Sequence, residues 1–188
     1  MSGRRGSSHT CGTARAAAVQ PRGGARHSAR RYHGRVRREQ SIGVISDTHG
    51  LLRPEAKDAL RGCDVIVHAG DIGAPQVVEE LRELAPVTVI RGNVDTWADH
   101  FADSEVLAFA GWQFYVIHNV RELDLDPKAA GFDAVISGHS HQPSIEYREG
   151  VLYLNPGSAG PRRFRLPIAV ATIRVTAGGL EPRLIELE

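Results

Sequence analysis

Seven side chains able to hold a metal ion close successive apolar runs between residues 47 and 141: Asp47 and His49 in SDTHG, Asp71 in HAGD, Asn93 in RGN, His118 in VIHN, and His139 with His141 in GHSH. Carboxylate, amide and imidazole donors in this mixture are borderline in softness and point to Mn, Fe, Zn, Ni or Co rather than calcium or copper. Seven donors exceed the four of a single zinc site, and no cysteine accompanies them. Two cations account for the number if one carboxylate is shared, and Asp71 is the candidate bridge. Such a set points to a metal-dependent enzyme.

The runs that carry these residues explain how they could meet. IGVIS precedes Asp47, DVIVHAG precedes Asp71, VTVIRG precedes Asn93, FYVI precedes His118 and AVISG precedes His139. In an open α/β sheet the carboxyl ends of strands share one rim, so side chains distant in sequence gather in one crevice. Within GHSH, residues at i and i+2 face the same way if extended, which aims His139 and His141 together and Ser140 away. Gly138 lets the backbone approach the site closely. His68, inside the apolar run before Asp71, is read as packing or supporting a ligand rather than binding metal.

The pattern predicts strands at 42–46, 64–68 and 86–90, joined by helices near 54–61 and 75–84, in β-α-β units with parallel pairing. In PQVVEELREL, Val77, Val78, Leu81 and Leu84 fall on one helical face. Further strand-like runs lie at 104–109, 112–117, 133–137, 143–148, 151–154, 167–175 and 180–187, interrupted by a short helical segment near 126–130. So many strands divide best between two mixed sheets, stacked and flanked by helices as a four-layer αββα sandwich.

The ordered set D-x-H, G-D, G-N, H and G-H-x-H resembles the calcineurin-like metallophosphoesterases. SDTHG, HAGD, RGNVD, GHSH and NPGS together resemble their compact YfcE-type phosphodiesterases, over roughly residues 41–175. That resemblance implies the αββα fold and a two-metal hydrolase of small phosphodiesters, with Mn²⁺ the first candidate. It assigns Asp47, His49 and His141 to one metal, Asn93, His118 and His139 to the other, and Asp71 to both. A hydroxide between the cations would attack phosphorus in line with the leaving group. Asp71, Asn93 and His139 then form the catalytic centre. The family also includes a retromer subunit, so a scaffold without hydrolysis is the competing reading.

Two departures bear on activity. The position after G-N, often a proton-donating His in this family, is Val94, which leaves Asp95 as the candidate acid provided its pKa is raised, and favours good leaving groups. Where close relatives show H-G-H the chain reads HNV at 118–120, keeping His118 but losing a second histidine. In the NPGS loop, Asn155 and Ser158 are candidate substrate contacts, and Arg162 or Arg163 could pair with a phosphate.

Ten arginines and one acid, Glu39, fall in the first forty residues, against totals of 23 basic and 22 acidic groups. Residues 41–188 therefore keep 13 basic and 21 acidic groups, a net charge of −8. The basic arm, 1–40, has too few large apolar side chains to offset the entropy of ordering and is expected to be disordered. The arm is open to three readings, a nucleic-acid or membrane-surface tether, an organelle transit peptide, or upstream sequence outside the native protein; the bias of 21 Arg against two Lys prefers the third, and 41–188 is read as the metallophosphoesterase domain. The acidic body argues against a nucleic-acid groove. No run reaches the roughly 18–20 apolar residues of a membrane span. Cys11 and Cys63 form no disulfide framework, which fits a reducing, cytoplasmic setting. The oligomeric state stays open, a homo-oligomer included.

Overall fold

The computed structural model describes residues 39–163 and 165–187. The first 38 residues of the Arg-rich arm lie outside that range. Gln40 pairs with Val175.

Three parallel strands, β1 (Gln40–Ile45), β2 (Val65–Ala69) and β3 (Val87–Ile90), form the centre and one flank of the first sheet. Every residue of β2 is buried, as its unbroken apolar run requires of a strand covered on both faces. The crossovers are α1 (Pro54–Leu60) and α2 (Pro75–Arg82), each opened by a proline whose fixed φ suits the first turn and whose missing N–H is not needed there. Ala56 and Leu60 of α1, and Val77, Val78 and Leu81 of α2, pack on the outer face with Ile45, Ile66 and Ile72. Leu84, expected on the same stripe, lies just past the helix and is only partly buried.

The second sheet holds β4 (Ser104–Phe109), β5 (Trp112–Ile117), β6 (Ala134–Ile136), β7 (Ser144–Arg148) and β8 (Val151–Asn155) in the order β4-β5-β6-β8-β7. The chain then returns to the first sheet as β9 (Ala169–Thr176) and β10 (Gly179–Glu186), antiparallel, giving β10-β9-β1-β2-β3. Pro182, which cannot donate to a ladder, sits in the edge strand β10 where no outer partner needs its N–H.

Both sheets are mixed and stack face to face. Ile42, Val44, Val67 and Ile173 of one meet Phe114, Val116, Ile136 and Leu154 of the other in a single buried cluster. Each such side chain contributes roughly 1.5–3 kcal/mol by leaving water. Over the outer face of the second sheet the helical layer is thin. The segment expected to be helical near 126–130 is a single turn, in which Asp126 Oδ1 accepts the N–H groups of Lys128 and Ala129. A 3-10 turn, Val120–Glu122, was not foreseen. No helix among the described residues is long and apolar enough to cross a membrane.

Candidate metal centre

The loops after β1, β2, β3, β5 and β6 meet at one end of the sandwich. Bonds beyond the strands pin them: Asp47 N–H to Gly70 O (3.0 Å), His49 N–H to Asp71 O (3.0 Å) and Gly138 N–H to His118 O (2.9 Å). Five of the seven expected ligands sit at left-handed backbone angles, with φ of 54° at Asp47, 46° at His49, 55° at Asp71, 66° at His139 and 58° at His141. Non-glycine residues seldom adopt this conformation, and its concentration here marks a site where the surroundings impose strain. GHSH is therefore not extended. The two histidines reach different donor clusters instead of pointing in parallel.

Asp71 divides its carboxylate between those clusters. Its Oδ2 lies 3.9 Å from His49 Nε2 and its Oδ1 lies 3.4 Å from His118 Nε2. On the first side, His141 Nε2 stands 3.1 Å from Asp47 Oδ1 and 3.4 Å from His49 Nε2. On the second, Asn93 Oδ1 is 3.2 Å from His118 Nε2 and 3.0 Å from His139 Nδ1. All seven residues named from the sequence are thus brought together.

The donor set fits cations. Ligand atoms of Asp47, His49 and His141 lie within 4.8 Å of one another, as do those of Asp47, Asp71 and His118. Asp47 is fully buried, yet its Oδ1 makes no hydrogen bond despite the nearby imidazole. A buried carboxylate oxygen without a partner is costly unless a positive charge compensates it.

Outer partners hold these donors in place. His118 Nδ1–H donates to Ala69 O at 2.7 Å, which leaves Nε2 as the free base facing Asp71 and Asn93. Asp47 Oδ2 accepts the Ser46 hydroxyl (2.7 Å) and the His139 N–H (3.0 Å). Val94 N–H donates to Asp71 Oδ1 at 3.1 Å. Thr48 donates its hydroxyl to Ile72 O and accepts from His68, both at 2.9 Å. His68 thereby supports the loop after β1, the supporting part allowed for it. Burial lowers its pKa to about 4 and keeps it neutral.

The two groups at the centre are shifted in opposite directions. Burial pushes Asp71 up, but bonding and attraction to His118, the Val94 N–H and His49 outweigh it and hold the carboxyl below its usual range. Burial likewise pushes His118 down, but Asp71 and Ala69 O raise it on balance. His49 is lowered, chiefly by burial and also by the charge of Arg163.

Several expected roles change. Asp95 is not placed to donate a proton: its two oxygens accept the N–H groups of Ile72 (2.9 Å), Gly73 (2.8 Å) and Gly92 (2.9 Å), clamping the loops after β2 and β3. Asn155 and Ser158 do not present themselves to a substrate. Asn155 Nδ2 donates to Gly138 O (2.6 Å) and Ser140 Oγ (3.1 Å), and Ser158 donates to Asp47 O (2.9 Å). Arg162 and Arg163, after NPGS, are both exposed, and the charge of Arg163 adds to burial in lowering the pKa of His49. Ser46 escaped the sequence reading, although it adjoins Asp47 as a hydroxyl residue in an otherwise apolar approach.

Comparison with known proteins agrees with the geometry. The sequence model described as the calcineurin-like phosphoesterase superfamily domain matches residues 41–178. A probable metallophosphoesterase of Methanothermobacter thermautotrophicus is 36% identical over 160 residues, covering 77% of this chain and 91% of its relative. A phosphodiesterase of Methanocaldococcus jannaschii is 26% identical over 137 residues, covering 62% of this chain and 82% of its relative. The fold is also that of the E. coli phosphoesterase YfcE, with a TM-score of 0.56 at 21% identity, covering 79% of this chain and 100% of that one.

Proposed function

The chain belongs to the calcineurin-like phosphoesterase superfamily, and from that premise we propose that it hydrolyses small phosphodiesters with the help of two divalent cations. The observation that carries this reading is the division of one carboxylate, Asp71, between two donor clusters. Asp47, His49 and His141 would hold one cation, Asn93, His118 and His139 the other, with Asp71 shared. When bound, two such cations supply Lewis-acid neutralisation of phosphoryl charge and lower the pKa of an attacking water. Carboxylate, amide and imidazole donors suit Mn, Ni, Zn, Fe and Co alike, and Mn²⁺ is the cation to test first.

The chain's own residues fix the rest. The Ala69 carbonyl holds His118 in the tautomer that offers Nε2, and the Ser46 hydroxyl and His139 N–H leave one oxygen of Asp47 free to bind. Val94, 42% exposed beside Asp71, offers no proton to a leaving oxygen, and Asp95 is occupied by backbone donors. Substrates whose leaving group departs unprotonated are therefore favoured, which selects activated diesters over alkyl monoesters.

Purified protein with Mn²⁺ should hydrolyse bis-p-nitrophenyl phosphate, and Asp71→Asn should remove at least about 99% of that rate by weakening both clusters. Absence of turnover with Mn, Ni, Co, Fe and Zn alike would favour the scaffold reading.

A further inference from the structure

We propose, resting on the phosphodiesterase reading, that the group left on phosphorus after hydrolysis carries a second negative charge, as in a phosphodiester of a hydroxy acid, and that Arg121 and Ser140 bind it in a cleft beside His139. The cleft, of about 300 Å³, has His139 of the second donor cluster in its wall together with Asn119, Arg121, Ser140 and Gln142. Val94, placed at the leaving oxygen, does not line it. The cleft therefore receives the substituent that stays on phosphorus.

Its lining carries one positive charge and no carboxylate. Arg121 is exposed, and its guanidinium has no hydrogen bond or ion pair with any described residue; only its backbone N–H is engaged, by Asn119 Oδ1 at 3.1 Å. The adjoining acid does not neutralise it, because Asn119 Nδ2 holds the Glu122 carboxylate at 2.9 Å and Glu122 lines a separate cleft. One asparagine thus starts the 3-10 turn that presents Arg121 and keeps Glu122 out of the way. The departure at 118–120 acquires a role here, since Asn119 and Val120, standing where relatives have G-H, both belong to this lining.

Ser140 supplies an observation independent of charge. Its Oγ accepts Asn155 Nδ2 at 3.1 Å and the Gln142 N–H at 3.3 Å, which fills both lone pairs of the hydroxyl. Its hydrogen has no acceptor among the described residues, so the hydroxyl can offer the cleft only a donor. Asn155 is buried and also donates to Gly138 O at 2.6 Å, so this oxygen is held in place before a ligand arrives. An anionic oxygen satisfies the hydroxyl and the guanidinium together, whereas an ammonium group satisfies neither.

Because Arg121 is exposed, its attraction is modest and screened by salt. Titration calorimetry on the full chain loaded with Mn²⁺ should show phosphoglycolate binding about three- to tenfold tighter than ethyl phosphate at low salt, with phosphorylcholine no tighter than ethyl phosphate. Arg121→Gln should bring the ratio of phosphoglycolate to ethyl phosphate affinity to about one, while Arg183→Gln, which removes an equal charge from the edge strand β10, should leave it unaltered. That ratio separates recognition from support, because a merely structural Arg121 would weaken both ligands alike. Equal binding of phosphoglycolate and ethyl phosphate by the unmodified chain overturns the assignment even where bis-p-nitrophenyl phosphate is hydrolysed. So does an advantage that survives Arg121→Gln, which would put the carboxylate on the cations. Failure to hydrolyse any diester overturns the parent reading and this one with it.

Discussion

Gly138→Ala tests how tightly the loops of the site are pressed together. Gly138 has no left-handed φ, so alanine brings no conformational penalty of that kind. A methyl at this position would meet Ser46 Oγ at 1.9 Å and Asp47 Oδ2 at 2.7 Å. An ordinary carbon–oxygen contact is about 3.3 Å or more, so the loop after β6 must retreat roughly 1.4 Å from the loop after β1. Both loops are tethered, through the Gly138 N–H to His118 O and the Asp47 N–H to Gly70 O, and overpacking of this kind costs about 1–3 kcal/mol.

The retreat separates His139 and His141 from Asp47, and misplacement on the order of 1 Å lowers catalysis about 10²-fold. Three measurements on one preparation check this: urea unfolding, bound Mn²⁺ per chain, and turnover of bis-p-nitrophenyl phosphate. Adding Ser46→Ala removes the nearest clash and should recover part of the stability. It should not recover turnover, because Asp47 then loses the Ser46 hydroxyl at 2.7 Å. A Gly138→Ala protein with wild-type stability, two bound cations and unchanged turnover would refute the close approach.

Asp95→Ala leaves three backbone N–H groups without their acceptor and should cost about 3 kcal/mol or more in urea unfolding, whereas a purely proton-donating Asp95 would lose turnover at unchanged stability. Val94→His restores an imidazole beside Asp71 and should raise alkyl monoester hydrolysis about tenfold or more relative to bis-p-nitrophenyl phosphate; an unchanged ratio would show that the position does not reach the leaving group. His68 has a folded pKa of about 4 against a reference of 6.5, so the unfolded chain binds its proton first. Its contribution is therefore complete above pH 6.5 and lost as pH falls toward 4, by about 3 kcal/mol. Unfolding midpoints of metal-free protein between pH 7 and 4.5 should fall less steeply in His68→Gln, and parallel curves would contradict a buried neutral imidazole.

The strands and the seven gathered residues were legible because apolar runs and their terminal polar groups are local in sequence. The ranges 104–109 and 112–117 coincide with β4 and β5 for that reason. What was not legible depends on partners remote in the chain. Nothing near Asp95 reveals that its carboxylate will collect the N–H groups of Ile72 and Gly73, more than twenty residues back. Asn155 and Ser158 look like exposed turn residues until the loops after β1 and β6 close on them. GHSH misled in another way, because an alternating pattern presumes extended backbone and the native loop imposes left-handed angles on both histidines.

Those angles bear on the choice between enzyme and scaffold. Asp47, His49, Asp71, His139 and His141 are all held in a conformation that costs a non-glycine residue about 1 kcal/mol or more. Asp47 is buried with an oxygen lacking a hydrogen bond, and two histidine Nε2 atoms stand 3.4 Å apart. None of this helps a protein that only presents a surface to a partner, since a less polar crevice with relaxed loops would fold more firmly. Ions that bind the native state and not the unfolded chain would offset the strain. Among the described residues, five of the seven non-glycine residues at left-handed angles are expected ligands, the other two being Ala110 and Glu149 in turns between strands, while Asn155, Ser158 and Asp95 keep ordinary angles. That distribution favours chemistry at the crevice.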